Sequence, residues 1–217
     1  MNLLIMGAPG TGKGTMSKLI VDEFGVKHVS TGDMLRSAVS EGTEVGLKAQ
    51  EYMSKGALVP DEIIHDIIVE YLGKADLGEG FLFDGYPRTY AQAVDLDNIL
   101  KELDLKIDLV INLNVDEDVL AERITTRRIC KKCGEIYNIR NKNPKVEGVC
   151  DVCGGEVYQR KDDTLESLQT RLSEYHKNTE PVIEYYENAG LVRQINGEQG
   201  SADKVFEEVK AVIEACK

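Results

Sequence analysis

The chain of 217 residues is long enough for one or two domains with a substantial buried core. Its 42% apolar content is ordinary for a globular protein, and no apolar run is long enough to cross a bilayer, so we expect a cytoplasmic protein. The net charge of −12 argues against a broad surface for nucleic acid or anionic membrane, because such surfaces need clustered positive charge.

The start of the chain predicts a strand, a glycine-rich loop and a helix in succession. Residues 3–6 form an unbroken apolar run that leads directly into the loop at 7–15, whose sequence is GAPGTGKGT. Apolar residues then recur at helical spacing from Met16 to Phe24, and Gly25 is a typical residue to end a helix. This arrangement places a flexible, glycine-rich turn at the end of a buried strand.

The rest of the chain alternates between predicted strands and predicted helices. Further short strands are predicted at 27–30, 81–84, 109–113 and 191–195. Helical spacing of apolar residues predicts helices from Pro60 to about Gly73, from Thr164 to about Thr179, and from Ser201 onward. Strands that alternate with helices indicate an α/β fold with a parallel sheet covered on both faces.

The glycine-rich loop has the pattern of a phosphate-binding loop. Glycine clusters often mark nothing more than turns, but this one follows a strand and begins a helix, so its N–H groups can converge on phosphate oxygens. Lys13 would reach the outer phosphates, whereas Gly14 stands where the common pattern has Ser or Thr, with Thr15 next. The glycine spacing and the lysine disfavour a dinucleotide-binding loop.

The arginines suggest a local basic pocket in an otherwise acidic protein. Guanidinium groups bind phosphate oxygens in pairs and do not lose their charge, although any single arginine could equally hold a surface salt bridge. Two lie in the N-terminal half, Arg36 and Arg88, and six of the nine lie in the segment that contains or flanks the cysteines: Arg123, Arg127, Arg128, Arg140, Arg160 and Arg171. As a set beside a phosphate loop, they favour a polyphosphate site.

Four cysteines have the spacing of a structural metal site. Cys130-x-x-Cys133 and Cys150-x-x-Cys153 form two knuckles separated by sixteen residues, which fits tetrahedral Zn²⁺. Disulfides are the alternative but are rare in the cytosol, and iron would use the same four thiolates. Cys216 lies outside this pattern, and we expect it to be unpaired near the C-terminus.

Several segments together resemble the signatures of one known family. They are the loop at 7–15, STGDMLR at 30–36, GALVPD at 56–61, DGYPR at 84–88 with Gln92, ERITTRR at 122–128, YQRKDD at 158–163, and Arg171. These segments span nearly the whole chain and look like those of the adenylate kinases, in which Gly14 is normal. The cysteine-bearing insert makes the chain similar to the long-lid, zinc-containing branch of that family.

The resemblance implies an architecture and a reaction. The fold would be a P-loop NTPase-like core with a parallel five-stranded sheet flanked by helices, formed by 1–30, 60–126 and 164–217. A small helical insert at 31–59 would bind the nucleoside monophosphate, and a zinc-ribbon lid would span 127–163. The reaction would be MgATP plus AMP giving two ADP, reversibly, in a monomer that binds no nucleic acid and no membrane.

The resemblance also implies a role for particular residues. Around the transferred phosphoryl group would lie Lys13, Arg88, Arg123, Arg127, Arg160 and Arg171. ATP would contact Gly10, Thr11, Gly12, Lys13, Gly14, Thr15, Arg127, Ile136, Tyr137 and Gln199. AMP would contact Thr31, Arg36, Ala57, Leu58, Val59, Gly85, Tyr86, Pro87, Arg88, Gln92, Arg160 and Arg171. Asp84 and Thr15 would hold Mg²⁺ through water, and Cys130, Cys133, Cys150 and Cys153 would hold Zn²⁺.

Two details refine this expectation. Gln92 is expected to recognise adenine, because an amide can both donate and accept hydrogen bonds at the base edge. Tyr86 replaces the phenylalanine usual in this family, and Met16 replaces a common glutamine, which changes packing rather than chemistry. The three histidines, His28, His65 and His176, are expected to be structural, and phosphoryl transfer of this kind needs no strong general base.

Two other functions fit parts of the same pattern. A kinase for UMP, CMP or GMP, or one that takes GTP as donor, would use the same cations and differ only in the base pocket. A nucleotide-gated binding module, with its metal ribbon against a partner or a nucleic acid, would keep the nucleotide without turnover. The acidic charge and the number of phosphate-directed arginines weigh against this second alternative.

Overall fold

The computed structural model describes residues 1–75 and 78–216, and eight strands lie within them. In chain order they are β1 (Asn2–Gly7), β2 (Lys27–Ser30), β3 (Phe81–Asp84), β4 (Leu109–Asn114), β5 (Arg127–Cys130), β6 (Ile136–Asn138), β7 (Val157–Tyr158) and β8 (Val192–Asn196).

The helices of the described residues lie between these strands, except for the last helix, which follows β8. They are α1 (Lys13–Phe24), α2 (Thr31–Glu41), α3 (Glu44–Met53), α4 (Asp61–Lys74), α5 (Tyr90–Glu102), α6 (Glu117–Thr125), α7 (Leu165–Glu174), a π-turn (Tyr175–Thr179), α8 (Glu180–Asn188) and α9 (Ala202–Glu214). None of the helices in residues 1–75 and 78–216 combines the length and the apolar character that a membrane span requires.

A parallel five-stranded sheet forms the centre of the molecule. Its strand order is β2-β3-β1-β4-β8, and β1 lies in the middle, where every one of its residues is buried. All four strand pairs are parallel, with Leu4 opposite Phe83 on one side and Val110 on the other. The predicted α/β fold with a parallel sheet is confirmed.

Helices pack on both faces of this sheet because side chains alternate along each strand. Leu4 and Phe83 point into a core that also contains residues of α4, α5 and α8. Leu3 and Ile5 point to the opposite face, where α1 and α9 cover them with apolar residues such as Ile20 and Val209. Both layers exclude water from the strands and hold the carboxyl ends of β1 and β3 in fixed positions.

The helical insert between β2 and α4 consists of α2 and α3 in close contact. Gly46, in the first turn of α3, is buried against α2, and a Cβ atom there would lie 2.1 Å from the carbonyl oxygen of Ala38. No side chain could fit at this position, so glycine allows the two helix backbones to touch. The predicted small helical insert thus consists of two helices packed through their backbones.

The helix predicted from Thr164 to about Thr179 is in fact longer. α7 begins after its N-cap Thr164, but the helix continues through the π-turn and α8 as far as Asn188. Pro181, in the first turn of α8, lacks the N–H that an α-helix needs and would clash with the carbonyl four residues earlier. The wider π-turn directly before the proline accommodates it, so the helix is not interrupted.

A second, three-stranded sheet forms the segment at 127–163. β5 lies between β6 and β7, and both pairs are antiparallel. Its apolar cluster is small and consists of buried Cys130, Tyr137 and Cys150, with the partly buried Cys153 and Val157 packed against them. So small a core contributes little stability, which leaves this segment dependent on another form of cross-linking.

Candidate active site

One large cleft opens at the carboxyl edge of the five-stranded sheet, the edge at which open α/β sheets bind ligands. Its volume is about 1710 Å³. The glycine-rich loop after β1 and Asp84 at the end of β3 form its floor. The helical insert contributes Gly56 and Leu58 to one wall, and the three-stranded sheet contributes Ile136 and Tyr137 to the other.

The glycine-rich loop presents the N-terminus of α1 to this cleft. Gly12 is the N-cap residue and has a φ of +104°, a backbone conformation that side chains disfavour. Thr11 closes the loop through its N–H and its hydroxyl, which donate to the Ala8 carbonyl oxygen at 3.3 and 3.0 Å. The free N–H groups and the helix dipole make this end of α1 suitable for an anion such as phosphate.

Lys13 follows the loop and lies on the cleft floor. Its Nζ atom donates hydrogen bonds to the carbonyl oxygens of Gly7 at 2.7 Å and Ala8 at 2.9 Å. Desolvation in the cleft, with a smaller contribution from the nearby arginines, lowers the pKa of Lys13 to about 7, although the charge of Asp84 opposes this effect. An anion bound in the cleft would therefore raise the pKa of Lys13 and favour its charged form.

Asp84 supplies an oxygen ligand on the same floor. Its Oδ2 atom accepts a hydrogen bond from the Ser17 hydroxyl at 3.3 Å and lies 3.6 Å from Nε2 of His28. Burial would raise the pKa of Asp84, but His28, Lys13 and Arg88 together lower it. Asp84 and Thr15 both line the cleft, and their oxygen atoms are of the kind that Mg²⁺ prefers.

Six arginines line the cleft around these groups: Arg36, Arg88, Arg123, Arg127, Arg160 and Arg171. Burial, together with the charges of Arg36 and Arg127, lowers the pKa of Arg160 to about 10. Burial also lowers the pKa of Arg171 to about 10, although Asp162, 3.4 Å away, opposes this effect. Cations held this close together repel one another, and a polyanion placed between them would relieve that repulsion.

Acidic side chains fix the direction of several of these arginines. Arg127 forms a two-point contact with the buried carboxylate of Asp163, in which Nε lies 2.9 Å from Oδ2. Arg160 reaches from the three-stranded segment toward the helical insert and lies 3.6 Å from Asp33. Arg123 donates to the carbonyl oxygens of Thr11 at 3.4 Å and Gly197 at 3.1 Å, directly above the phosphate loop.

Arg88 lies in the loop after β3, and hydrogen bonds to its own backbone atoms fix its position. The Arg88 N–H donates to Oε1 of Gln92 at 2.7 Å, and its carbonyl oxygen accepts from the Thr179 hydroxyl at 2.9 Å. Its side-chain Nε donates to the Gly85 carbonyl oxygen at 2.7 Å. Thr31 donates to the same carbonyl at 3.0 Å, which ties the helical insert to this loop.

The four cysteines converge as their spacing predicts. All four Sγ atoms lie within 4.8 Å of one another, and no other group of three or more metal-ligating side chains occurs in the described parts of the chain. The Cys130–Cys153 and Cys133–Cys150 distances of 3.5 and 3.6 Å are too long for disulfides, whose sulfur atoms lie ~2.05 Å apart. Four thiolates in this arrangement fit one tetrahedral metal ion.

Comparison with known proteins identifies the family. The family model for adenylate kinase matches residues 5–191. The adenylate kinase of Geobacillus sp. (strain WCH70) is 52% identical and covers 98% of this chain and 98% of its own. Those of Carboxydothermus hydrogenoformans and Archaeoglobus fulgidus are 50% and 48% identical, over 99% and 100% of this chain and 100% of their own.

The chain belongs to the adenylate kinase family. It is therefore a phosphotransferase of the nucleoside monophosphate kinase class, and the reaction of the family is the reversible, Mg²⁺-dependent transfer ATP + AMP = 2 ADP. The resemblance inferred from the sequence motifs is confirmed, and the cysteine cluster is compatible with the long-lid, zinc-containing type.

Most residues predicted to bind nucleotide in this adenylate kinase lie at the cleft. The cleft is lined by the loop residues 10–15 and by Arg36, Leu58, Asp84, Gly85, Tyr86, Pro87, Arg88, Arg123, Arg127, Ile136, Tyr137, Arg160 and Arg171. Five predicted residues are not among those that line it: Thr31, Ala57, Val59, Gln92 and Gln199. Gln199 instead donates to the Asn196 carbonyl oxygen at 3.0 Å, so its contact with ATP stays a prediction.

The sequence did not point to His28 as a neighbour of the site. His28 lines the cleft and faces Asp84, a position that follows from the strand register. Ser30 of β2 lies opposite Asp84 of β3, so His28, two residues earlier, points to the same face of the sheet. The relevant signal is which strands are neighbours, and one sequence does not reveal that.

The sequence also gave no sign of an ionic contact between the core and the three-stranded segment. Lys18 on α1 pairs with Glu135 of that segment, and Lys142 binds the other oxygen of the same carboxylate at 2.7 Å. The Glu135 side chain is 10% exposed. This contact joins the segment to α1, the helix that follows the glycine-rich loop.

Proposed function

We propose that this adenylate kinase binds MgATP above the glycine-rich loop and AMP beside the loop after β3, with the transferred phosphoryl group between them. The observation that carries this proposal is the convergence of Lys13 and six arginines on one cleft at the N-terminus of α1. Phosphoryl transfer depends on positioning and on stabilising spread negative charge, which is what such a set of cations supplies.

The position of each group supports a particular role. The loop N–H groups and Lys13 hold the ATP phosphates, and Ile136 and Tyr137 contact the donor nucleotide. Arg36 and Arg88 hold the AMP phosphate. Four arginines that approach from α6, α7 and the three-stranded segment stabilise the moving group: Arg123, Arg127, Arg160 and Arg171.

Asp84 and Thr15 would hold Mg²⁺ through water. When bound, the ion would neutralise part of the negative charge of the phosphates. Asp84 supplies a carboxylate that its neighbours keep ionised, and Ser17 orients that carboxylate by its hydrogen bond. No protein group need remove a proton for the transfer, since the attacking phosphate oxygen is already charged.

We assign the segment at 127–163 as a lid, 31–59 as the AMP-binding insert, and the remaining residues as the core. The four thiolates are assigned to one structural Zn²⁺, because they leave no coordination position for water. A lid excludes water from ATP, which otherwise would be hydrolysed. Metal analysis of the purified protein would distinguish zinc from iron.

We further propose a cytoplasmic monomer that binds no nucleic acid. A reduced thiolate site favours a reducing compartment. The net charge of −12 disfavours a nucleic-acid surface, and the basic groups of the cleft are enclosed rather than displayed on a face.

The test is ADP formation from MgATP with AMP, CMP, UMP and GMP measured in parallel. AMP should be the preferred acceptor. Lys13→Ala should lower kcat/KM by at least about a hundredfold, the effect typical of losing one group that stabilises transition-state charge. Lys101→Ala, which removes an exposed lysine of α5, is the matched control and should change kcat/KM little.

Other outcomes would contradict specific parts of the proposal. Preference for another monophosphate would keep the mechanism and refute Gln92 as the group that recognises adenine. Nucleotide retention without turnover would favour the binding module. An equal loss of activity in Lys13→Ala and Lys101→Ala would refute the assigned role of Lys13.

A further inference from the structure

Asp61 connects two segments of the proposed AMP site. It is the first residue of α4, immediately after the segment at 57–60, and its half-buried carboxylate faces the start of α5. Oδ2 accepts a hydrogen bond from the Thr89 hydroxyl at 2.9 Å, and Oδ1 accepts one from Nε2 of Gln92 at 2.6 Å. Thr89 is also the N-cap of α5, since its side chain accepts from the Gln92 N–H at 3.1 Å.

Two neighbours bind the Gln92 side-chain amide: one needs a hydrogen-bond donor and the other needs an acceptor. A carboxylate oxygen can only accept, so Asp61 requires the NH₂ group of the amide. The Arg88 N–H can only donate, so at 2.7 Å it requires the amide oxygen. Rotation of the amide by half a turn would place oxygen against oxygen and N–H against N–H. Only one orientation of Gln92 therefore satisfies both neighbours.

This orientation leaves one donor and one acceptor in a fixed order. Among the described residues, each polar atom of the Gln92 amide has one protein partner, so one N–H and one oxygen lone pair have none. Gln92 is 5% exposed and does not itself line the cleft, so the use of these two groups by a base is part of the proposal below. Adenine presents an acceptor, N1, beside a donor, the N6 amino group. Hypoxanthine and guanine present the reverse, a donor at N1 beside an acceptor at O6. A freely rotating amide could serve either edge, whereas a fixed amide fits only one.

We propose that Asp61 is a specificity-determining positioning residue, which fixes the Gln92 amide in the orientation that matches adenine and opposes 6-oxopurines. This inference rests on the proposed role of Gln92 in recognising the base. Specificity then comes from the unfavourable pairing that a 6-oxopurine would meet as well as from the favourable pairing with adenine.

The experiment measures kcat/KM for AMP and for IMP with MgATP in the intact enzyme. IMP differs from AMP at the edge in question and lacks the 2-amino group of GMP. Asp61→Ala removes the acceptor and lets the amide rotate. Asp61→Asn keeps an oxygen for Nε2 of Gln92, and its own NH₂ can face the Thr89 hydroxyl. Glu62→Ala removes an exposed acid from the same first turn of α4 and serves as the control.

In Asp61→Ala the ratio of kcat/KM for AMP over IMP should fall by about tenfold or more, because sites that fix hydrogen-bonding groups discriminate strongly. Asp61→Asn should restore most of that ratio, and Glu62→Ala should leave it unchanged. If the role of Asp61 were purely structural, Asp61→Ala would lower kcat/KM for AMP and for IMP by the same factor. An unchanged ratio would therefore overturn the proposal. A ratio lowered as far in Asp61→Asn as in Asp61→Ala would overturn it too. If the unmodified enzyme does not phosphorylate AMP, the proposed function itself fails.

Discussion

At the scale of single residues, bringing several cations together in the cleft costs free energy, because they are desolvated and repel one another. Lys13 is half-buried near three arginines, and its pKa of about 7 is far below the ordinary lysine value of 10.5. The charge of Asp84 partly offsets this effect. Bound phosphate would supply the missing negative charge, so protonation of Lys13 and binding of ATP are thermodynamically linked.

We therefore expect proton uptake when MgATP binds above neutral pH. The charged phosphates raise the pKa of Lys13, so at about pH 8 the complex binds more protons than the free enzyme, and affinity falls as the pH rises. At about pH 6 the lysine is already protonated and uptake should vanish. Titration calorimetry in two buffers of different ionisation enthalpy measures the uptake. Lys13→Met should abolish it and Lys101→Met should not; uptake that persists in Lys13→Met would refute the linkage.

Residues with distinctive chemistry were predictable, and their partners were not. Lys13, the arginines and the four cysteines lie in recognisable motifs, so the sequence indicated them directly. Asp163, His28 and Asp61 act through contacts with residues far away in the chain. An aspartate that fixes an arginine looks the same in one sequence as an aspartate on the surface, because its partner is chosen by the fold.

At the scale of helices and strands, local signals set most boundaries. The three central strands, β1, β3 and β4, are largely apolar runs. Five helices have a side-chain N-cap at a serine or threonine: Ser30, Thr43, Thr89, Thr164 and Ser201. Such caps satisfy an N–H group that has no partner within the helix. Substitution of these caps can show whether a helix contributes to activity as well as to stability.

Removing two equivalent caps should have unequal effects on activity. Thr164→Ala and Ser201→Ala each remove a side chain that accepts from a backbone N–H, at 3.2 and 3.4 Å. Each should lower the free energy of unfolding by about 1 kcal/mol. Only Thr164→Ala should also lower kcat, since α7 carries Arg171 and α9 carries no proposed site residue. Denaturant unfolding and turnover check this; Thr164→Ser should preserve both, and equal losses of kcat in the two alanine variants would contradict it.

Elements that lack a local apolar signal were not predictable. β5, β6 and β7 have two to four residues each, too few to show an apolar pattern, and β5 consists mostly of arginine and cysteine. α8 was missed for a different reason, since Pro181 ordinarily ends a helix and the π-turn that accommodates it has no simple sequence signature.

At the scale of the whole molecule, ion pairs hold the proposed lid and insert around the cleft. Lys18 and Glu135 join the core to the lid, and Arg160 and Asp33 join the lid to the insert. The lid has few apolar contacts of its own, so its internal order depends on the thiolate cluster. Stability of the lid and chemistry in the cleft are therefore supported by different groups.

Metal removal should lower thermal stability more than it lowers turnover at moderate temperature. Loss of about 3 kcal/mol would lower Tm by about 6–12 °C in a chain of this size. A chelator with a reducing agent prepares the metal-free enzyme, and calorimetry and turnover are measured on the same sample. Restoring Zn²⁺ should recover the Tm, and Cys216→Ser, outside the cluster, should change neither quantity. If metal removal lowered thermal stability and kcat by the same proportion, this prediction would be refuted.

The two ends of the lid segment lie side by side. Arg127 at its start contacts Asp163 at its end, and the Gln159 amide bridges the carbonyl oxygens of Thr125 and Asp163 at 3.2 and 2.9 Å. The entropy lost in closing a loop grows only with the logarithm of its length, so the core places little restriction on what joins two such adjacent ends. A shorter loop or an unrelated folded domain could therefore replace the segment at 127–163. A gene for such a protein could gain or lose the metal-binding segment without any change in the central sheet.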